Sequence, residues 1–130
     1  MADFATMSLP HAADLLAPDG SEVRVLLSLR GGSMAHFRLA AGKVSRAVRH
    51  RTVEEIWYVV AGRGEMWRSQ SGRDAVVAVA EGTCLTIPLG TAFQFRAAAD
   101  GPLAAVAITL PPWPGAEEAE FVPGAWTPTA

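Results

Sequence analysis

The stretch GKVSRAVRHRTVEEIWYVVAGRG, residues 42–64, sets a histidine and two adjacent carboxylates between glycine-marked turns. Its second half, Glu55 to Val60, reads EIWYVV, a run of aromatic and β-branched residues that favours a central strand. Val44 to Arg51 reads as a preceding extended segment, and Ala61-Gly62-Arg63-Gly64 as a tight turn. Period-two alternation puts Val48, His50, Glu55, Trp57 and Val59 on one inward face. Arg46 shares that parity and is expected to anchor an anionic group. Arg49 and Arg51 have the opposite parity and are expected in solvent.

Upstream, Val23, Val25, Leu27 and Leu29 alternate with Arg24, Leu26, Ser28 and Arg30, the pattern of a half-buried strand. Gly31-Gly32 is a hairpin signal, and Ala35, Phe37 and Leu39 form the inward row of the next strand. That parity turns His36 away from the interior, to the surface or an interface. Before them, His11 to Leu16 is a short helix candidate, stopped by Pro18 and the turn pair Asp19-Gly20.

Downstream, strands are expected at Glu65–Ser69, Ala75–Val79, Cys84–Ile87, Phe93–Arg96 and Leu103–Leu110, with glycine or proline marking most of the turns. Nine or ten short strands at close spacing are the signature of a sandwich or barrel. After Leu110, five of the nine prolines stand at 111, 112, 114, 123 and 128, so this tail cannot run inside a sheet. Trp113, Phe121 and Trp126 give it apolar anchors for packing across the barrel or a partner subunit. The organisation read from this is one domain, with an extension at 1–20, a barrel at 21–110 and the tail at 111–130.

Half of the 130 residues are hydrophobic and 18% are charged, the balance of a globular chain. A net charge of −2 provides no electrostatic footprint for nucleic acid or an anionic membrane. The single cysteine, Cys84, excludes an internal disulfide and points to a reducing compartment, here read as the cytoplasm. Cys84 itself is expected as a small buried hydrophobe. The first residues lack a basic region followed by an apolar run, and no apolar stretch is long enough to span a membrane.

Two spacings coincide in order along the chain. Gly42, Val48, His50, Glu55 and Gly62 form one series; Gly82, Pro88, Gly90 and Phe93 form a second, nineteen residues later. This framework resembles the cupin family, whose motifs run G-x5-H-x-H-x3-4-E-x6-G and G-x5-P-x-G-x2-H-x3-N. The resemblance covers about residues 25–110 and implies a jelly-roll double-stranded β-helix, commonly dimeric, open to small molecules at one end. In metal-binding members two His and the Glu of the first motif, with the His of the second, hold a divalent ion. Here those positions are Val48, His50, Glu55 and Phe93, and the motif's Asn is Ala97. Two donors of four leave most of a coordination sphere to water. No cofactor is therefore expected, the alternative being a divalent Zn, Fe, Mn or Ni ion completed by His36, Cys84 or Glu54.

The function expected is a small-molecule-binding cupin whose pocket holds His50 and Glu55, walled by Val48, Trp57, Phe93 and Phe95, with Arg46 as an anion anchor. One alternative is an isomerase, cyclase or lyase using His50 and Glu55 as an acid–base pair. Another is a metal-dependent dioxygenase or sugar isomerase with a non-standard ligand set. A purely structural module, its interior filled by Phe93 and Trp57, is the remaining class. A homodimer is the expected assembly, without nucleic acid or membrane as partners.

Overall fold

The computed structural model describes residues 3–130. The described residues form eleven strands. The first five are β1 (Leu15–Leu16), β2 (Glu22–Leu29), β3 (Gly32–Leu39), β4 (Val48–His50) and β5 (Glu54–Ala61). Next come β6 (Arg63–Gln70), β7 (Arg73–Ala80), β8 (Cys84–Ile87), β9 (Ala92–Ala97) and β10 (Leu103–Leu110). A single 3-10 turn, Ala116–Glu118, leads into β11 (Ala119–Phe121).

Two antiparallel sheets face each other. One has the order β1-β2-β3-β10-β5-β8 and the other β11-β4-β9-β6-β7. In β5 the pleat is strict: Glu55, Trp57 and Val59 are buried, while Ile56 and Tyr58 are exposed. The inner faces meet in one apolar core that includes Leu39, Trp57, Met66, Ile87, Phe93 and Phe95. Gly62 joins β5 to β6 at φ 77°, and a Cβ there would lie 2.0 Å from the Pro102 carbonyl oxygen. Only glycine fits both demands.

The helix expected over His11–Leu16 is absent; that segment instead supplies β1, paired at Leu15↔Val23 and Leu16↔Glu22. Six residues cannot recover the cost of nucleating a helix, whereas the open edge of β2 offers ready partners. Asp14 completes the attachment, its carboxylate accepting from the Val25 N–H at 2.7 Å. The extended segment expected over Val44–Arg51 is a strand only at Val48–His50, with an isolated bridge at Val44.

The tail wraps the outer face of the second sheet. Its proline-free centre becomes β11, an edge strand on β4. Glu118 anchors this turn by accepting from the Thr52 and Val53 backbone N–H groups and the Thr52 hydroxyl. Burial opposes ionisation there, but those bonds outweigh it and hold the Glu118 carboxyl below its ordinary range. Further on, the buried Gln94 side chain donates to the Ser45 and Trp126 carbonyls and accepts from the Trp126 N–H. Gly124 passes so close that a Cβ would lie 2.4 Å from the Gln94 Oε1 and 2.6 Å from the Ala47 Cβ. A Gly124→Val substitution should therefore lower the unfolding free energy by about 1–3 kcal/mol through overpacking. Urea denaturation reads this directly, and an unchanged midpoint would mean that the tail is not seated on Gln94.

Candidate functional site

A cavity of about 250 Å³ opens between the sheets, walled mostly by apolar side chains. β4 contributes Val48 and His50, and β5 contributes Glu55 and Trp57. Phe93 enters from β9, directly opposite Val48, and Thr109 from β10, directly opposite Glu55. Phe37 lines it from β3, and Trp113 from the tail.

Glu55 is 4% exposed, so its carboxyl must find partners inside the protein. It has two: the Thr109 hydroxyl donates to Oε2 at 2.5 Å and the Trp57 indole N–H to Oε1 at 3.0 Å. His50, 7% exposed, lies edge-on to Phe93 and Trp113, with centroids 5.2 and 5.4 Å away. Its Nδ1 is 3.9 Å from Glu55 Oε1, too far for a hydrogen bond, and has no partner among the described residues. Trp57 stacks on Phe37 at 5.2 Å and meets Phe93 edge-on, which fixes the indole that holds Glu55.

A third titratable group lines the same cavity. Asp19 is 5% exposed, and its Oδ1 accepts from the Ser21 N–H at 2.9 Å and the Ser21 hydroxyl at 2.6 Å. Burial first, and the nearby Glu55 charge, push its carboxyl up from the ordinary 3.8, against the Ser21 bonds and His50. Sequence reasoning took Asp19-Gly20 as a turn pair and missed its side chain. An Asp in a loop has no period to give its direction.

Of the expected site residues, His50, Glu55, Val48, Trp57 and Phe93 line the cavity together, and two do not. Arg46 is exposed, with its guanidinium 5.0 Å from the Phe121 ring centroid. Its expected inward direction came from extending the β4 period back past Val48, where the chain is no longer a strand. Phe95 keeps the inward parity but lies one layer deeper, fully buried against Trp57. Among the other residues weighed, Cys84 is exposed rather than buried, because β8 presents it on the outer face opposite Tyr58. His36 does turn away from the cavity, but it is buried instead of lying at the surface. Opposite it stands Arg24, which donates to the Pro10 and His11 carbonyls, and burial with that guanidinium lowers the His36 pKa. Glu54 is exposed at the start of β5.

The donors present do not fit the family's metal ion. None of His36, Cys84 or Glu54 lines the cavity, and Val48 and Phe93 have nothing to coordinate with. Of the family's four ligand positions only His50 and Glu55 carry donors. Among the described residues, no group of three or more His, Cys, Asp and Glu side chains is arranged to hold an ion.

Fold and cavity together define an all-β barrel of the double-stranded β-helix type, with a largely apolar cavity between its sheets. The chain belongs to the cupin family: the cupin domain matches residues 35–109. Its structure is similar to that of a conserved protein with a double-stranded β-helix domain from Klebsiella pneumoniae. That match has a TM-score of 0.70 at 12% identity, covering 94% of this chain and 100% of that one. The coconut allergen cocosin is similar with a TM-score of 0.70 at 22% identity, over 82% of this chain and 30% of cocosin. An 11S globulin from Wrightia tinctoria is similar with a TM-score of 0.68 at 21% identity, over 78% of this chain and 28% of the globulin. The chain thus spans less than a third of the length of cocosin or of the globulin. No curated protein matches it in sequence. No described helix is long and apolar enough to cross a membrane.

The raised Asp19 pKa makes a signed prediction. Between 3.8 and the raised value, the folded state holds a proton that the unfolded state has released. Stability should fall as pH rises across that window, and Asp19→Asn should remove this component. Urea melts of both proteins from acid to neutral pH test it. Parallel stability curves would show that Asp19 titrates normally.

Proposed function

We propose that this cupin binds a small, largely apolar molecule in its barrel cavity without a metal ion, His50 and Glu55 reading the molecule's polar group. The observation that carries this reading is the unpartnered His50 Nδ1 within a cavity whose Glu55 is held in place by Thr109 and Trp57. A buried nitrogen left unpaired costs about 1–3 kcal/mol, which a ligand supplying the missing partner relieves. A cavity of about 250 Å³ suits a compound of one or two rings. The Wrightia tinctoria globulin, similar in fold, carries an auxin binding site.

A second reading is favoured by the same pair. An imidazole with a free nitrogen beside an anchored carboxyl, away from bulk water, is equipped for proton transfer in isomerase, cyclase or lyase chemistry. The proposal includes a cytoplasmic homodimer, associating through the outer face of the first sheet where Ile56 and Tyr58 are exposed. Nucleic acid and membrane have no part in it.

A thermal-shift screen of small cyclic compounds tests the binding reading. A cavity ligand should raise the melting temperature of the wild type and bind about tenfold more weakly to His50→Ala and to Glu55→Gln. If every stabilising compound acts equally on all three proteins, the cavity is not the binding site. Turnover of a bound compound, lost in His50→Ala, would select the second reading.

A further inference from the structure

Asp19, His50 and Glu55 are the titratable side chains lining the cavity, and among the described residues no lysine or arginine lines it with them. Two carboxyl groups therefore share a small apolar space with no fixed cation. On the reading that the cavity binds a small apolar molecule, we propose that this molecule carries a primary ammonium group, with Asp19 as a specificity-determining residue that receives it beside Glu55 and His50.

His50 and Glu55 stand close enough to share such a group, and Asp19 lines the same cavity. Asp19 uses Oδ1 for both Ser21 bonds, and its Oδ2 has no hydrogen-bond partner among the described residues. The Thr109 and Trp57 bonds immobilise Glu55, yet a carboxylate has about four lone-pair sites, so each oxygen can accept again. His50 Nδ1 is an unsatisfied buried nitrogen on a residue lining the cavity, 3.9 Å from Glu55 Oε1. Two acceptors that share one nitrogen at hydrogen-bond distance stand about 4–5 Å apart, so a single ammonium can engage both. Its third N–H donor is then available to Asp19 from within the same cavity.

The walls agree with this. Phe37, Trp57, Phe93 and Trp113 turn aromatic surface into the cavity, and ring faces attract cations, more strongly when the site is desolvated. A ligand carboxylate would meet Asp19 and Glu55 with no lysine or arginine lining the cavity among the described residues, and burying it there is costly. A neutral alcohol has one donor and leaves acceptors unmatched.

The charge balance gives a second readout. Glu55 disfavours ionisation of Asp19 and His50 favours it, so an ammonium placed among them also favours the ionised carboxylate. Where Asp19 is protonated in the free protein, binding releases that proton to solvent while the ammonium keeps its own three.

Calorimetric titration with benzylamine, benzyl alcohol and benzoate, in two buffers of different ionisation enthalpy, tests this. Benzylamine should bind at least about tenfold more tightly than the other two. Proton release should accompany benzylamine alone and grow as the pH is lowered into the range where Asp19 is protonated. Asp19→Asn should weaken benzylamine more than benzyl alcohol and abolish the release. The wild-type ranking decides the matter even if that variant fails to fold. Benzyl alcohol binding as tightly as benzylamine, or a preference for benzoate, overturns the ammonium proposal and leaves the cavity reading standing. Absence of binding by all three overturns both.

Discussion

A carboxyl group in an apolar interior has to be hydrogen-bonded, and Glu55 meets that condition through Thr109 and Trp57. Those partners bind the sheet together as well as the side chain. Thr109 sits on β10, the central neighbour of both β3 and β5. Trp57 in turn stacks on Phe37 of β3 and meets Phe93 and Phe95 of β9. The carboxyl thus rests on a layer of aromatic rings that spans both sheets. Its orientation is a property of the core.

That anchoring also shapes what the site can do. Thr109 and Trp57 each donate to one Glu55 oxygen and fix the direction of the carboxyl. Where other metal ligands would stand, Val48 and Phe93 face each other and complete an apolar wall. The result is a largely apolar chamber lined by aromatic rings and by three titratable groups, Asp19, His50 and Glu55.

Much of the barrel was legible because its strands obey simple alternation between clear turns. β8 and β10 have the expected boundaries, and β5 extends the expected run by one residue at each end. The parity of Val48, His50, Glu55 and Trp57, and the motif position of Phe93, carried straight into the cavity. Parity failed where its premise failed: Arg46 precedes the first strand residue, so nothing ties its direction to that of Val48. Parity is also silent about depth, which is why Phe95 is inward yet screened from the cavity by other core side chains. Asp19 was invisible for a different reason. Its place depends on β1 docking against β2 and on the Arg46 N–H donating to the Asp19 carbonyl, long-range contacts with no local signature.

The claim on which this account rests is that His50 and Glu55 work without an ion between them. Elemental analysis of the dialysed chain, followed by calorimetric titration with Zn, Ni, Mn and Fe(II), tests it most directly. The account predicts only trace metal and no saturable uptake at His50. A stoichiometric ion that survives dialysis and is lost in His50→Ala would contradict it.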